Sequence, residues 1–186
     1  MMFSDAIVIG GEAILVPEGS DTIGTRLWPS SVVMSHFILF HQQRMNDKVL
    51  MEMGSGTSLP SLVACKFSSP SKVYLQDFPN EEITGIQKRV FEKNRVDDKN
   101  VETISFGWGE MPELIQKIDL VYSSDSLYQG KGINVFLLEH FRCSPVDFGD
   151  FMSSIAYLLN VNPKCTFITC YHERKYESIF LHRSII

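Results

Sequence analysis

The segment Lys48 to Ser61, KVLMEMGSGTSLPS, constrains this chain more than any other. An apolar run ends at Glu52, Gly54 and Gly56 flank Ser55, and Pro60 follows where a helix would open. Proline suits a helix's first turn because its missing N–H is one that would lack a partner there anyway. Glycine lets the backbone turn tightly and approach a ligand with no Cβ in the way. The pattern therefore reads strand, turn, helix, with free N–H groups near the helix start and a carboxylate beside them. Nucleotide-like ligands dock at turns of this kind.

The rest of the chain repeats the rhythm. Residues 6–16 read as two β-branched strands split by Gly10-Gly11, a hairpin signal. A helix over 32–43, capped by Ser30 or Ser31, is expected next. Then come a strand at 48–54, a helix at 60–68, a strand at 72–77 and a helix from the Asn80 cap to about Asn94. Strands at 101–107 and 118–124, a helix at 146–160 and a strand at 164–171 complete the series. Such alternation implies right-handed crossovers, so the expected fold class is α/β: a mainly parallel sheet with helices on both faces. Two places break the pattern, the run GKGINVFLLEHFRC between Gln129 and Ser144 and the short stretch after Cys170.

At 186 residues and 44% apolar side chains the chain has enough material for one domain with a core, and one domain spanning 1–186 is the expectation. The net charge of −5 argues against direct nucleic-acid binding, which needs a basic surface. The four cysteines lack CxxC spacing and no signal segment is evident, so reduced thiols and a cytoplasmic or nuclear address are expected. The longest N-terminal apolar patch, 32–40, is interrupted by Ser35 and His36 and is too short for a membrane span. His36 and His41 have no ligand-spaced partners, and no metal is expected. Oligomeric state is left open.

The ligand class follows from what the turn lacks. A dinucleotide turn needs GxGxxG, and Leu59 stands where the third glycine would be. Glu52 would repel a pyrophosphate but attract an ammonium or sulfonium. Asp77, closing KVYLQD, can accept both hydroxyls of a ribose, and strand geometry puts it on the same sheet edge as Glu52; a helix-capping aspartate is the plainer alternative. Trp108, between two glycines, is suited to cover a planar heterocycle or to sit in the core with its N–H satisfied. Asp125 and Tyr128 follow the fourth parallel strand, where a turn aspartate and a packing tyrosine are the commoner fates.

Taken in order, Leu27-Trp28-Pro29-Ser30-Ser31, Glu52-x-Gly54-x-Gly56-Thr57, Asp77, Trp108-Gly109 and Asp125-x-x-Tyr128 resemble the seven-strand S-adenosylmethionine-dependent methyltransferases of the lysine-methyltransferase-like family 16. The likeness covers Leu27 to about Tyr171 apart from the insert at 129–144, leaving 1–26 as an N-terminal hairpin and loop. It implies a Rossmann-like fold with S-adenosylmethionine as cofactor. Glu52, Gly54, Ser55 and Gly56 would border its methionine part, Asp77 its ribose and Trp108 its adenine, while Trp28 and Ser124 line the pocket. Asp125 and Tyr128 fall on the methyl-acceptor side.

The implied activity is methyl transfer to a lysine or arginine of a protein, a histone or a chaperone-like partner. Relatives place a glycine where Ser61 stands. They also continue past the fifth parallel strand with a helix and an antiparallel pair, which this sequence, stopping at Ile186, is expected to lack, as a truncated or alternatively spliced form would. A binding module without turnover is the alternative that this raises. A nicotinamide-dependent oxidoreductase is the third, weakened by the missing glycine.

Overall fold

The N-terminal hairpin pairs β1 (Asp5–Ile9) with β2 (Glu12–Val16) across a two-residue turn. Gly10 and Gly11 take φ of +63° and +80°, the left-handed backbone that such a turn needs if it is to match strand twist. The computed structural model describes residues 5–16, 23–110, 117–126 and 145–170. The expected interruption at 129–144, Tyr128 and the stretch after Cys170 lie outside them.

The hairpin is bound into the body of the protein. The Leu15 N–H donates to Asn94 Oδ1 at 2.8 Å, and Asn94 Nδ2 donates to the Leu15 carbonyl at 2.9 Å. Lys66 Nζ lies 2.9 Å from a Glu12 carboxylate oxygen.

The main sheet is built from β3 (Val49–Met53), β4 (Lys72–Asp77), β5 (Val101–Ser105), β6 (Leu120–Ser124) and β7 (Thr166–Cys170), all parallel, in the spatial order β5-β4-β3-β6-β7. β3 is central, and Leu50, Met51 and Met53 are fully buried because helices cover both faces. Strand alternation sends Leu50, Glu52 and Tyr122 to one face and Met51, Met53 and Val121 to the other.

The first face is covered by α1 (Pro29–Phe40), α2 (Leu59–Phe67) and α3 (Glu81–Lys93). α4 (Pro145–Val161) covers the second through Phe151, Ile155 and Leu158. In α3 the buried residues Ile83, Ile86, Gln87, Val90 and Phe91 recur at helical spacing. Each large apolar side chain among them contributes roughly 1.5–3 kcal/mol by leaving water. Asn80 caps α3 as expected, accepting from the Glu82 N–H at 2.8 Å.

Strand and helix limits fall within about a turn of those expected, with one correction. α1 starts at Pro29 rather than Val32, with Trp28 at the N-cap, and ends at Phe40. Pro29 fixes the start because its ring presets the helical φ. Ser31 is therefore a first-turn residue, and its hydroxyl donates back to the Trp28 carbonyl at 2.7 Å. Beyond Phe40 the chain turns through a short 3-10 segment, Gln42–Met45.

Candidate functional site

The site is assembled at the carboxyl ends of β3, β4 and β6, where helices leave the sheet in different directions. The β3 turn carries φ of +65° at Gly54 and +47° at Gly56. Both glycines serve close approaches within the protein. A Cβ at Gly54 would meet Ser126 Oγ at 2.8 Å and the Trp108 ring at 3.3 Å; one at Gly56 would meet the Gly24 carbonyl at 2.9 Å. The 3-10 turn Ile23–Thr25 thus lies directly on the glycine loop.

Glu52 lies beneath the start of α2, and it is 1% exposed. Its Oε2 accepts from the Ser61 N–H at 3.1 Å and from the Ser61 hydroxyl, which also meets the Tyr122 hydroxyl at 2.6 Å. The Ser61 N–H is one of the first-turn donors that α2 cannot satisfy internally. Ser58, at the N-cap with φ +57°, makes no side-chain cap bond, so the sheet carboxylate supplies the acceptor instead. Glu52 Oε1 has no partner among the described residues. Burial pushes the Glu52 carboxyl up to about 8, against the pull of its two Ser61 bonds, and the nearby Asp77 adds to the rise. Ser61 is thus the link between a buried acid and a buried phenol.

Asp77 is drawn into the same turn. Oδ2 accepts from the Gly56 N–H at 2.7 Å and Oδ1 from the Phe78 N–H at 2.8 Å. Burial raises its pKa, and these two bonds oppose that rise. Each oxygen keeps a second lone pair, so Asp77 shapes the loop while retaining acceptor capacity toward a ligand.

Trp108 is half-buried, stacked edge-on to Phe151 at 4.9 Å between centroids, and its indole N–H donates to Gln76 Oε1 at 3.3 Å. Its N–H is thus satisfied internally, while its ring borders Gly54. Ser55 accepts from Gln87 Nε2 at 2.9 Å, which ties the loop to α3. On β6, Ser124 pairs with Cys170, and Asp125 follows at φ +57°, 8% exposed, its N–H donated to the Cys170 carbonyl at 2.7 Å.

The expected residues Glu52, Gly54, Ser55, Gly56, Asp77 and Trp108 therefore surround one turn, with Ser124 and Asp125 on the adjacent strand tip. Trp28 stands at the N-cap of α1, half-buried, and Gly24, a few residues earlier, lies against Gly56 of the turn.

Sequence reasoning missed Gln76 and Ser126. Gln76 is fully buried and accepts from the Gly54 N–H at 3.1 Å and from Trp108, while its Nε2 donates to the Phe106 carbonyl at 2.8 Å. Its signal was a polar residue inside the apolar run KVYLQD, on the face opposite Asp77. Ser126 donates to the Met53 carbonyl at 3.3 Å, joining the tips of β3 and β6.

A profile of the lysine methyltransferase family matches residues 12–141. The histone-arginine methyltransferase METTL23 of Xenopus laevis is 28% identical over 155 residues, covering 81% of this chain and 58% of its own length. METTL23 of Mus musculus is 27% identical over 157 residues, 81% of this chain and 54% of its own. The protein-lysine methyltransferase METTL21E of Mus musculus is 28% identical over 126 residues, 63% and 50% of the two chains. The chain spans just over half the length of the METTL23 relatives from these two organisms. Among solved structures, precorrin 8W decarboxylase of Methanobacterium thermoautotrophicum superposes with a TM-score of 0.55 at 15% identity, over 77% of this chain and 64% of that one. That likeness shows a shared Rossmann-like fold.

Proposed function

Because the chain belongs to the lysine methyltransferase family, we propose that it binds S-adenosylmethionine at the Gly54–Gly56 turn and directs methyl transfer to a lysine or arginine side chain of a protein. The observation that carries this reading is the buried, unpartnered oxygen of Glu52 beneath a turn that Asp77 and Trp108 border. A carboxylate with no counter-ion among the described residues fits a cationic ligand and disfavours an anionic one. The donor set also fits an adenosyl group: Asp77 retains lone pairs for ribose hydroxyls, and the Trp108 ring lies beside the turn.

When bound, S-adenosylmethionine supplies a methyl group on a sulfonium, activated for in-line displacement. The protein's part is positioning and exclusion of water. Asp77 and Gln76 hold the loop backbone, Ser126 fixes the tip of β6 against β3, and Glu52, protonated in the free protein at neutral pH, would supply a negative charge beneath the loop once a bound cation favours its ionised form. Asp125, at that tip, is the group proposed to orient the acceptor, as a counter-charge for a lysine ammonium or a fork partner for an arginine guanidinium. The acceptor protein is proposed to be a histone or a chaperone-like protein in the cytoplasm or nucleus.

The test is transfer of radiolabelled methyl from the cofactor to purified histones and to a hypomethylated cell extract. The wild-type chain is expected to label a protein band that Asp125→Ala does not. Cofactor binding with no labelled protein from the wild type would refute turnover and leave a binding module.

A further inference from the structure

A cleft of about 680 Å³ runs beside the sheet between α3 and β5, with Val101, Thr103 and Ser105 on its strand side and Glu81, Lys88 and Phe91 on its helix side. Among the described residues β5 is an edge strand, and Glu102, Thr103 and Ser105 are exposed. The Val73 N–H donates to the Asn100 carbonyl at 2.9 Å and the Phe106 N–H to the Asp77 carbonyl at 3.2 Å. These bonds turn the even-numbered residues of β5 toward β4. In a parallel ladder the intervening residues then direct N–H and C=O away from the sheet, here Thr103 and Ser105. The same two residues line the cleft, so one strip offers both a packing surface and main-chain groups that have no partner among the described residues. An extended peptide uses both at once, main-chain bonds along the strand and alternate side chains in the cleft.

Charge narrows the occupant. The cleft contains Asp98, next to the start of β5, and Glu81, at the start of α3. Neither carboxylate forms an ion pair among the described residues, whereas the neighbouring Lys99 is held by Asp97 at 3.0 Å. Lys88 is the one cation among the described residues that line the cleft. The site tip at Asp125 belongs to β6, three strand positions from β5, or about 14 Å at the usual spacing. A segment in this cleft is thus separate from the acceptor position.

We propose that the β5–α3 cleft docks an extended, lysine- or arginine-bearing segment of a partner protein, which adds to the sheet as a further strand beside β5. The inference does not depend on methyl transfer. Natural edge strands are often blunted by charge, proline or a covering element. Here the outward pair is Thr103 and Ser105, both compatible with a strand.

The test is residue-resolved amide exchange on the full chain, alone and with a positional-scanning library of acetylated seven-residue peptides carrying lysine at both ends. Without peptide, the Thr103 and Ser105 amides are expected to exchange much faster than those of Glu102 and Ile104. Pools with β-branched residues at alternate positions should slow Thr103 and Ser105 by about tenfold or more. The same pools N-methylated on alternate amides should not. Thr103→Pro removes one outward donor without touching the β4 ladder and should abolish the effect, whereas Thr103→Val, which loses only the hydroxyl bond to Gln87, should keep it. If Thr103→Pro does not fold, the N-methylated peptides decide the matter.

Protection of both amides in the free, dilute protein would show the edge already covered and overturn the proposal. So would failure of every pool. Protection that rises with protein concentration alone would reassign the edge to a second copy, and stronger protection by glutamate-ended pools would refute the assigned charge.

Discussion

Replacing Glu52 by glutamine tests the electrostatic heart of the site. The folded chain holds this carboxyl protonated up to about pH 8, whereas the ordinary value is 4.5. Its contribution to stability is therefore fully present below about pH 4.5 and is lost as pH rises toward 8, because the unfolded chain releases the proton first. Each pH unit inside that window costs about 1.4 kcal/mol, or roughly 5 kcal/mol across it. Glutamine keeps the shape and can still accept from both Ser61 donors. Its amide nitrogen would take the place of an oxygen that is itself unpartnered, so the two proteins should be of similar stability near pH 5. Urea unfolding at half-unit steps from pH 5 to 8.5 is expected to show the stability difference moving in the variant's favour by several kcal/mol. Parallel profiles would mean that Glu52 ionises freely in the folded state and would refute the buried-acid argument.

Gln76→Leu strands the Gly54 N–H, the Trp108 N–H and the Phe106 carbonyl, and should destabilise the fold by about 2–4 kcal/mol in denaturant titrations. A loss under about 0.5 kcal/mol would show that water replaces those bonds. Gly56→Ala meets the Gly24 carbonyl and keeps a positive φ, so a cost of about 1–3 kcal/mol is expected, seen as a lowered melting temperature. Asp77→Ala should weaken cofactor binding by about 1–3 kcal/mol in calorimetry, and unchanged affinity in a folded variant would remove Asp77 from the site. Asp125→Ala should leave cofactor affinity intact while abolishing methyl transfer, and normal turnover would end its assigned role.

The fold was legible because its signals are local. Alternating apolar runs, Gly10-Gly11, Asn80 and Pro60 each act through neighbours a few residues away, and β1 to β7 and α2 to α4 appear close to where these signals put them. The misplaced start of α1 shows the limit: two serines resembled a cap, and Pro29 decided the matter by fixing φ.

At the site, the residue types facing the turn were readable, but their partners were not. Asp77 reads as a ligand group, yet in the folded chain it also accepts from Gly56, 21 residues away. Gly56 reads as space for a ligand, yet the Gly24 carbonyl lies against it. Gln76 and the Ser61–Tyr122 pair depend on register between distant strands and helices, which a linear pattern does not encode. That register turns a generic glycine turn into one with a buried acid below it.

The most direct measurement is isothermal titration of the wild-type chain with S-adenosylmethionine at pH 7, in two buffers that differ in ionisation enthalpy. A cation settling at the turn favours ionised Glu52, which the free protein holds protonated at that pH. The account predicts saturable binding at one site, with a heat that differs between buffers by the release of up to one proton per cofactor. No binding at millimolar cofactor would contradict it.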